Sequence, residues 1–233
     1  MLYCAGQALT TPGSTVGGLL SMAMPVLFTA GIVAGVLLNR PRPRGPWLML
    51  ASAGLVMVVG FGIWAAGAGT LAFAMFMLVY PLEAAALLLI VRGASWRRDR
   101  AGLLDTLMIC VGLALACWLL VITPLMRMHA AVPGSLFAVL FPFGDVLLLG
   151  VLIRFFTSRG LRNAAFWQIS ASLLLQTASH MAGLLTTLAG VDGFDSRPLT
   201  SLSGFLMVGA ALHPSMRTLT GEPLRPVAEM SPK

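Results

Sequence analysis

Charge is the scarcest property of this chain. Of its 233 residues only 10% are Asp, Glu, Lys or Arg, and lysine occurs once, at Lys233. So little ionised surface excludes an ordinary soluble domain of this length. No polar stretch is long enough for a second domain, so one domain is expected. Cysteine is equally sparse: Cys4, Cys110 and Cys117 form no CxxC pair and no Cys/His ligand spacing, which leaves neither a disulfide framework nor a zinc site. Cys110 and Cys117 stand near one helix face, as small buried hydrophobes do. HExxH, GxSxG, P-loop and dinucleotide motifs are all missing. The chain is therefore not expected to be an enzyme, and no catalytic or metal-binding residue is assigned. Residues 1–12 carry no basic segment, and the first apolar run is long enough to be a span, so no cleavable signal peptide is expected.

What the chain has instead is apolar length. Hydrophobic residues make up 58%, and mean hydropathy is +0.91. Apolar runs and their breakers predict seven spans: Val16–Asn39, Trp47–Ala66, Thr70–Arg92, Leu103–Met126, Ser135–Thr157, Ala164–Ala189 and Thr200–Leu219. Each is close to the roughly 20 residues that cross a bilayer as a helix, and none alternates like a barrel strand. Helices are demanded because hydrocarbon offers backbone groups no other partner. The expected fold class is all-α, a polytopic membrane helical bundle of about seven transmembrane helices. Residues 1–15 form a short extracytoplasmic N-terminus, 16–220 the transmembrane domain, and 221–233 a cytoplasmic tail or linker. Prolines at 25, 81, 124, 142 and 214 are expected to bend or break their helices. Gly31 and Gly35 give the first span a face that a neighbouring backbone approaches closely.

A net charge of +7 and a pI near 10.7 suggest nucleic acid at first sight. The placement of the charges argues otherwise. Thirteen of the fifteen basic residues fall in or beside alternate loops and the C-terminal tail, leaving only Arg127 and Arg197 on the other side. Arginines in short loops orient spans, and this tally puts the N-terminus outside and the C-terminus in the cytoplasm.

Three acids lie inside the apolar runs: Glu83, Asp105 and Asp145. A carboxylate in hydrocarbon costs at least roughly 2.5–3.5 kcal/mol, so these side chains should face the bundle interior or a wet cavity. Glu83 follows Pro81 and Asp145 follows Pro142 near mid-span, where a proline-freed carbonyl could join a cation- or proton-binding centre. The plainer reading is a neutral acid hydrogen-bonded to a neighbouring helix, since burial favours the protonated form. Asp105 starts the fourth span beside the Arg97–Arg100 cluster, a structural position at a helix N-terminus. On the sixth span Gln168, Ser172, Gln176 and His180 recur every fourth residue and share one face. His180 could bond Glu83 or Asp145, and together with His213 it is the only candidate set for haem or metal. A buried, satisfied imidazole is the commoner outcome.

The segment Phe141-Pro142-Phe143-Gly144-Asp145-Val146-Leu147-Leu148-Leu149, followed by Arg154, resembles the YPxGDxLLL…R segment of a family of bacterial membrane modules. These precede diguanylate cyclase (GGDEF) and phosphodiesterase (EAL) domains in cyclic di-GMP signalling proteins. Leu104-Asp105-Thr106, Ile122-Thr123-Pro124 and Gly209-Ala210-Ala211-Leu212-His213-Pro214-Ser215-Met216 fit the same pattern in the same order. Phe141 replaces the family's tyrosine, and Ser179-His180 stands where an acid is expected. The resemblance implies a multi-span sensory or regulatory module in the bacterial cytoplasmic (inner) membrane, relaying a signal through its last helix to a cytoplasmic output domain or partner. It also implies structural or relay roles for Asp105, Arg154, His213 and Pro214. The chain carries no GGDEF or EAL motif, so it is expected to be a truncated or stand-alone relative.

The leading expectation is thus a non-enzymatic sensory module whose ligand meets Glu83, Asp145, Gln176 and His180. Two alternatives stay open: a small transporter or proton/ion pathway using the same acids, and a haem- or metal-binding membrane protein using His180 and His213. No cofactor is expected in the leading reading. Its partners are the lipid bilayer, a small ligand or stimulus, a cytoplasmic signalling domain or protein, and optionally a second copy as a homodimer; nucleic acid is not among them.

Overall fold

The computed structural model describes residues 15–95, 100–129, 135–157, 162–189 and 195–219. The N-terminal segment to residue 14, the tail from 220, and parts of the loops after the third, fourth, fifth and sixth expected spans lie outside the described residues. So does the side chain of Asp105. Everything regular among the described residues is helical: α1 Thr15–Asn39, α2 Gly45–Ala65, α3 Gly69–Ser95, α4 Arg100–Cys117, α5 Thr123–His129, α6 Ser135–Thr157, α7 Ala164–Leu188, α8 Arg197–Leu212 and α9 Met216–Leu219.

Four stretches are long and apolar enough to cross a membrane: Val16–Asn39, Gly45–Ala65, Gly69–Ile90 and Leu140–Thr157; Leu107–Leu120 is a shorter apolar helix. Their outward residues are large and greasy, with Leu107, Met108, Leu115, Leu119 and Leu120 of α4 and its continuation all exposed. Such a surface fits hydrocarbon, and a membrane-embedded protein follows from it. The remaining expected spans depart from simple apolar rods for local reasons. The fourth run is not one α-helix, because Trp118–Ile122 widens into a π-helical turn. Pro124 cannot donate to the carbonyl four residues back and crowds it. Thr123 instead sends both its backbone N–H and its hydroxyl to the Trp118 carbonyl. α7 has the length of a span, 25 residues, but carries the polar stripe. α8 stops at Leu212 rather than Leu219 because Pro214 cannot continue it; its 16 residues span roughly 24 Å. α1, α3 and α6, by contrast, run on through Pro25, Pro81 and Pro142.

Six helices close into a ring, α1–α2–α3–α6–α7–α8 and back to α1, with α4 on the outside against α6. Small residues set the close approaches. A side chain on Gly35 would collide with the Ala211 backbone carbonyl of α8, and one on Gly31 with Val208. α2 and α3, the most extensively packed pair, are joined by a turn in which Gly67 adopts φ +83°. At the end bearing Arg40, Arg42 and Arg44 the ring is filled by a core that includes Trp47, Leu50, Ile90, Phe155, Phe166 and Leu219. Phe155 and Phe166 stack there at 4.7 Å.

Two asparagines secure that end. Where α8 stops, its last carbonyls lose their helical donors, and the buried Asn39 amide donates to those of Ala211 at 3.0 Å and Leu212 at 3.1 Å. Asn163 caps α7 by accepting from Phe166 N–H at 2.9 Å, and its amide donates to the Ser215 carbonyl at 3.1 Å. Ser215 Oγ in turn accepts from Ala165 N–H at 2.9 Å. The His213-Pro214-Ser215-Met216 string thus terminates α8 and ties it to α7.

Gly35→Leu should sharply reduce the yield of monodisperse protein in detergent, since overpacking against backbone costs about 1–3 kcal/mol or more. Gly18→Leu, with nothing within 4 Å of the added carbon, should leave yield and thermal midpoint unchanged. Equal behaviour of the two variants in size-exclusion and thermal-melt measurements would remove the α1–α8 seam from the fold.

Candidate functional site

Beyond the filled end the ring opens into a cavity of about 300 Å³, reached by residues of α1, α2, α3, α6, α7 and α8. Its depth follows from the sequence of each wall. On α3, Phe76, Tyr80 and Glu83 face it while Leu87 and Ile90 join the core; on α7, Ser172, Gln176 and His180 face it while Phe166 and Ile169 join the core. The four-residue polar repeat therefore reads along the cavity wall. Gln168, its first member, lies below the cavity against Gly209, with its buried Oε1 unpaired.

The strongest polar contact crosses from α6 to α7. Asp145, 1% exposed, receives His180 Nδ1 at 2.9 Å on Oδ1 and 3.2 Å on Oδ2. Tyr80 of α3 brings its hydroxyl to 3.3 Å from the same nitrogen, beside the Asp145 carboxylate. With Nδ1–H donating to Asp145, the Tyr80 hydroxyl is left to donate to that carboxylate too. Three helices thus meet on one acid. Tyr80 reaches it because its ring lies flat against the backbone at Gly144, where any side chain would collide with the ring. Asp145 itself does not line the cavity; it stands behind His180 and orients it.

Glu83 is different. It lines the cavity, is 5% exposed, and leaves Oε2 without a hydrogen-bond partner. Gln176, His180 and Asp145 are its polar neighbours. Two of the cavity's hydroxyl donors are already engaged: Ser172 Oγ donates to the Ser203 carbonyl at 2.8 Å, and Thr200 Oγ1 to the Ser196 carbonyl at 3.2 Å. A second bond, from Ser179 Oγ to Ser196 O at 2.9 Å, stitches α7 to α8 beside it. Arg197, at the rim, is held by Asp195 through Nε at 2.9 Å and Nη2 at 2.7 Å. Those bonds hold the Asp195 carboxyl below the usual carboxylate range, so the pair persists at neutral pH and is lost only on strong acidification.

The structure brings Glu83, Gln176 and His180 to one cavity with Asp145 behind them, and it separates the other expected residues. His213 is exposed at the far end of α8, its Nδ1 bonded to Ser215 Oγ at 2.8 Å. From Asn163, which bonds Ser215, α7 climbs roughly 25 Å to His180. The two imidazoles therefore cannot share one haem or metal, which corrects that expectation. Arg154 is buried in the last turn of α6, and Pro214 ends α8. Among the described residues, no three His, Cys, Asp or Glu side chains converge as a metal site would require. Tyr80, Gly144 and the capping asparagines were not singled out by sequence. One signal was present: Tyr80-Pro81-Leu82-Glu83 and Phe141-Pro142-Phe143-Gly144-Asp145 both place an acid just after an aromatic–proline pair.

Asp145→Asn, His180→Gln and their double variant should be non-additive in thermal denaturation, with an interaction energy within the roughly 0.5–3 kcal/mol seen for directly coupled residues. Strict additivity would mean the contact contributes nothing to the fold. No protein-family model, no curated protein and no solved structure matches the chain.

Proposed function

We propose that the chain is a non-enzymatic sensory or regulatory module of the bacterial inner membrane, with seven membrane-crossing segments, the N-terminus outside and the C-terminus in the cytoplasm. In this reading a ligand enters the cavity and α8 carries the change to a cytoplasmic output domain or partner protein in cyclic di-GMP signalling. The observation that carries it is the cavity: it is lined by buried polar groups on one side and closed on the other by the core at the arginine-rich end. A sealed inner half suits a receptor better than a conduit. The engaged hydroxyls and the absence of any assigned nucleophile favour binding over catalysis. The resemblance of residues 141–149 and 209–216 to cyclic di-GMP-associated modules supplies the signalling class.

α8 is suited to the relay. Thr200, Ser203, Gly204 and Met207 face the cavity, while Ala211 and Leu212, one to two turns further on, are held by Asn39. A ligand that binds two positions of α8 with different affinity shifts their populations, and the Asn39 latch and the Ser215 knot feel the difference.

Topology is tested by single-cysteine labelling of intact cells: an impermeant maleimide should reach Asp195→Cys and miss Ser95→Cys, as the arginine distribution requires. The reverse pattern overturns the orientation and the cytoplasmic relay. Signalling is tested with a cellular cyclic di-GMP reporter. Expression of the wild type should change the signal, Asp145→Leu should abolish that change while inserting normally, and Asp145→Asn, which still accepts a hydrogen bond from His180, should retain part of it. A reporter indifferent to the wild type, or a Leu variant as active as the wild type, removes the sensory reading.

A further inference from the structure

The unmatched polarity of the cavity has a consequence for what it binds. Glu83 lines the space with a carboxyl group in a side chain more than nine-tenths buried, and its Oε2 has no hydrogen-bond partner. In the neutral imidazole with Nδ1–H turned to Asp145, His180 Nε2 is a second acceptor, and among the described residues it has no hydrogen-bond partner. The neighbouring donors do not answer this demand, because Ser21, Ser172 and Thr200 donate to the carbonyls of Gly17, Ser203 and Ser196. Tyr80 is engaged with the Asp145–His180 pair. Gln176 adds only a neutral amide, so what the wall lacks is an uncompensated charged donor.

Charge points the same way. Two carboxyl groups, Glu83 and Asp145, face one imidazole, His180. The guanidinium at the rim is compensated by Asp195 through bidentate bonds. The rest of the lining is aromatic and thioether: Phe28, Phe61, Phe76, Tyr80 and Phe141 contribute five rings, beside Met24 and Met57. Aromatic faces attract a cation and accept an apolar body, and a desolvated carboxylate makes its strongest hydrogen bonds to a charged donor. A bare divalent ion fits poorly, because no third ligand of the His, Cys, Asp or Glu type converges on the site among the described residues. The volume, about 300 Å³, lies at the small end of the range for small-molecule pockets and suits a one-ring or short-chain ligand.

We propose that this cavity binds a small primary ammonium ion with an apolar body, its N–H groups directed at the Glu83 carboxylate and His180 Nε2 and its body lying among the phenylalanines. The proposal rests on the reading of the cavity as a ligand site and names the chemical class of that ligand. Asp145 acts as a positioning residue, holding the imidazole so that Nε2 faces inward.

The test is equilibrium binding of 2-phenylethylammonium and hexylammonium to the full chain in lipid nanodiscs at neutral pH, with 2-phenylethanol as the uncharged competitor. At least one ammonium probe should bind saturably, and the alcohol should not displace it at equal concentration. Glu83→Gln, which keeps shape and removes charge, should weaken binding at least about tenfold, the scale of a lost hydrogen bond to a charged group. Glu83→Asp should retain more affinity than Glu83→Gln, and the thermal midpoint of each variant without probe establishes that it is folded. The proposal is overturned if neither ammonium probe binds saturably, if the alcohol competes as well as the amine, or if folded Glu83→Gln binds like the wild type. The cyclic di-GMP reporter separates this from the sensory reading: Asp145-dependent signalling without amine binding sinks the ammonium class alone. Glu83-dependent amine binding with a silent reporter sinks the signalling role and leaves the site.

Discussion

Asp145 and His180 meet at 2.9 Å across the seam between α6 and α7, and the shape of the cavity depends on that contact. An acid at that depth in an apolar helix is tolerable only if the protein supplies donors in place of water. α7 supplies an imidazole and α3 a phenol, so satisfying one carboxylate draws three walls of the ring together. The imidazole then has only one free nitrogen. Its direction, inward, is a by-product of the same bond.

The ring divides along its axis into a filled half and an open half, and the division is chemical. Towards the arginine-rich end the helices contribute Trp47, Leu50, Phe155 and Phe166, which are buried in one core. Towards the other end the same helices contribute serines, Gln176, Glu83 and a set of aromatic rings. Polar side chains that face each other across a gap cannot close it without leaving some groups unpaired, so the space persists. The serine bonds between α7 and α8 show the alternative: where hydroxyls find carbonyls at 2.8 and 2.9 Å, the helices close up. Glu83 finds no such partner for Oε2, and its side chain borders the cavity.

α8 links the two halves. Its first turns line the cavity, its last two turns lie against Gly31 and Gly35 of α1, and its end is held by Asn39. Because Pro214 ends the helix early, the freed carbonyls need an outside donor, and Asn39 becomes part of the helix it does not belong to. A shift of α8 along its axis would therefore be felt at both Asn39 and the Ser215 contacts with α7.

The all-helical class, the membrane-crossing length of four of the apolar segments and the inward turn of the mid-span acids were legible in the sequence, because each rests on a local rule. Hydropathy over some twenty residues marks a helix in hydrocarbon, α6 running from Ser135 to Thr157 as its apolar run does. A four-residue repeat marks a face, and the cost of a buried carboxylate marks which way it turns. Local rules misjudged the fourth run, where Pro124 displaces the helical bonding by one residue, and the last, where the helix stops seven residues short of the apolar run. Which acid pairs with which imidazole, that His213 lies far from His180, and that Glu83 is left with an unpaired oxygen were decided only by the tertiary structure. Those outcomes depend on the order in which helices neighbour one another around the ring. That order is set by the fit of surfaces such as Gly144 against Tyr80 and Gly35 against Ala211, which no period or composition along a single segment encodes.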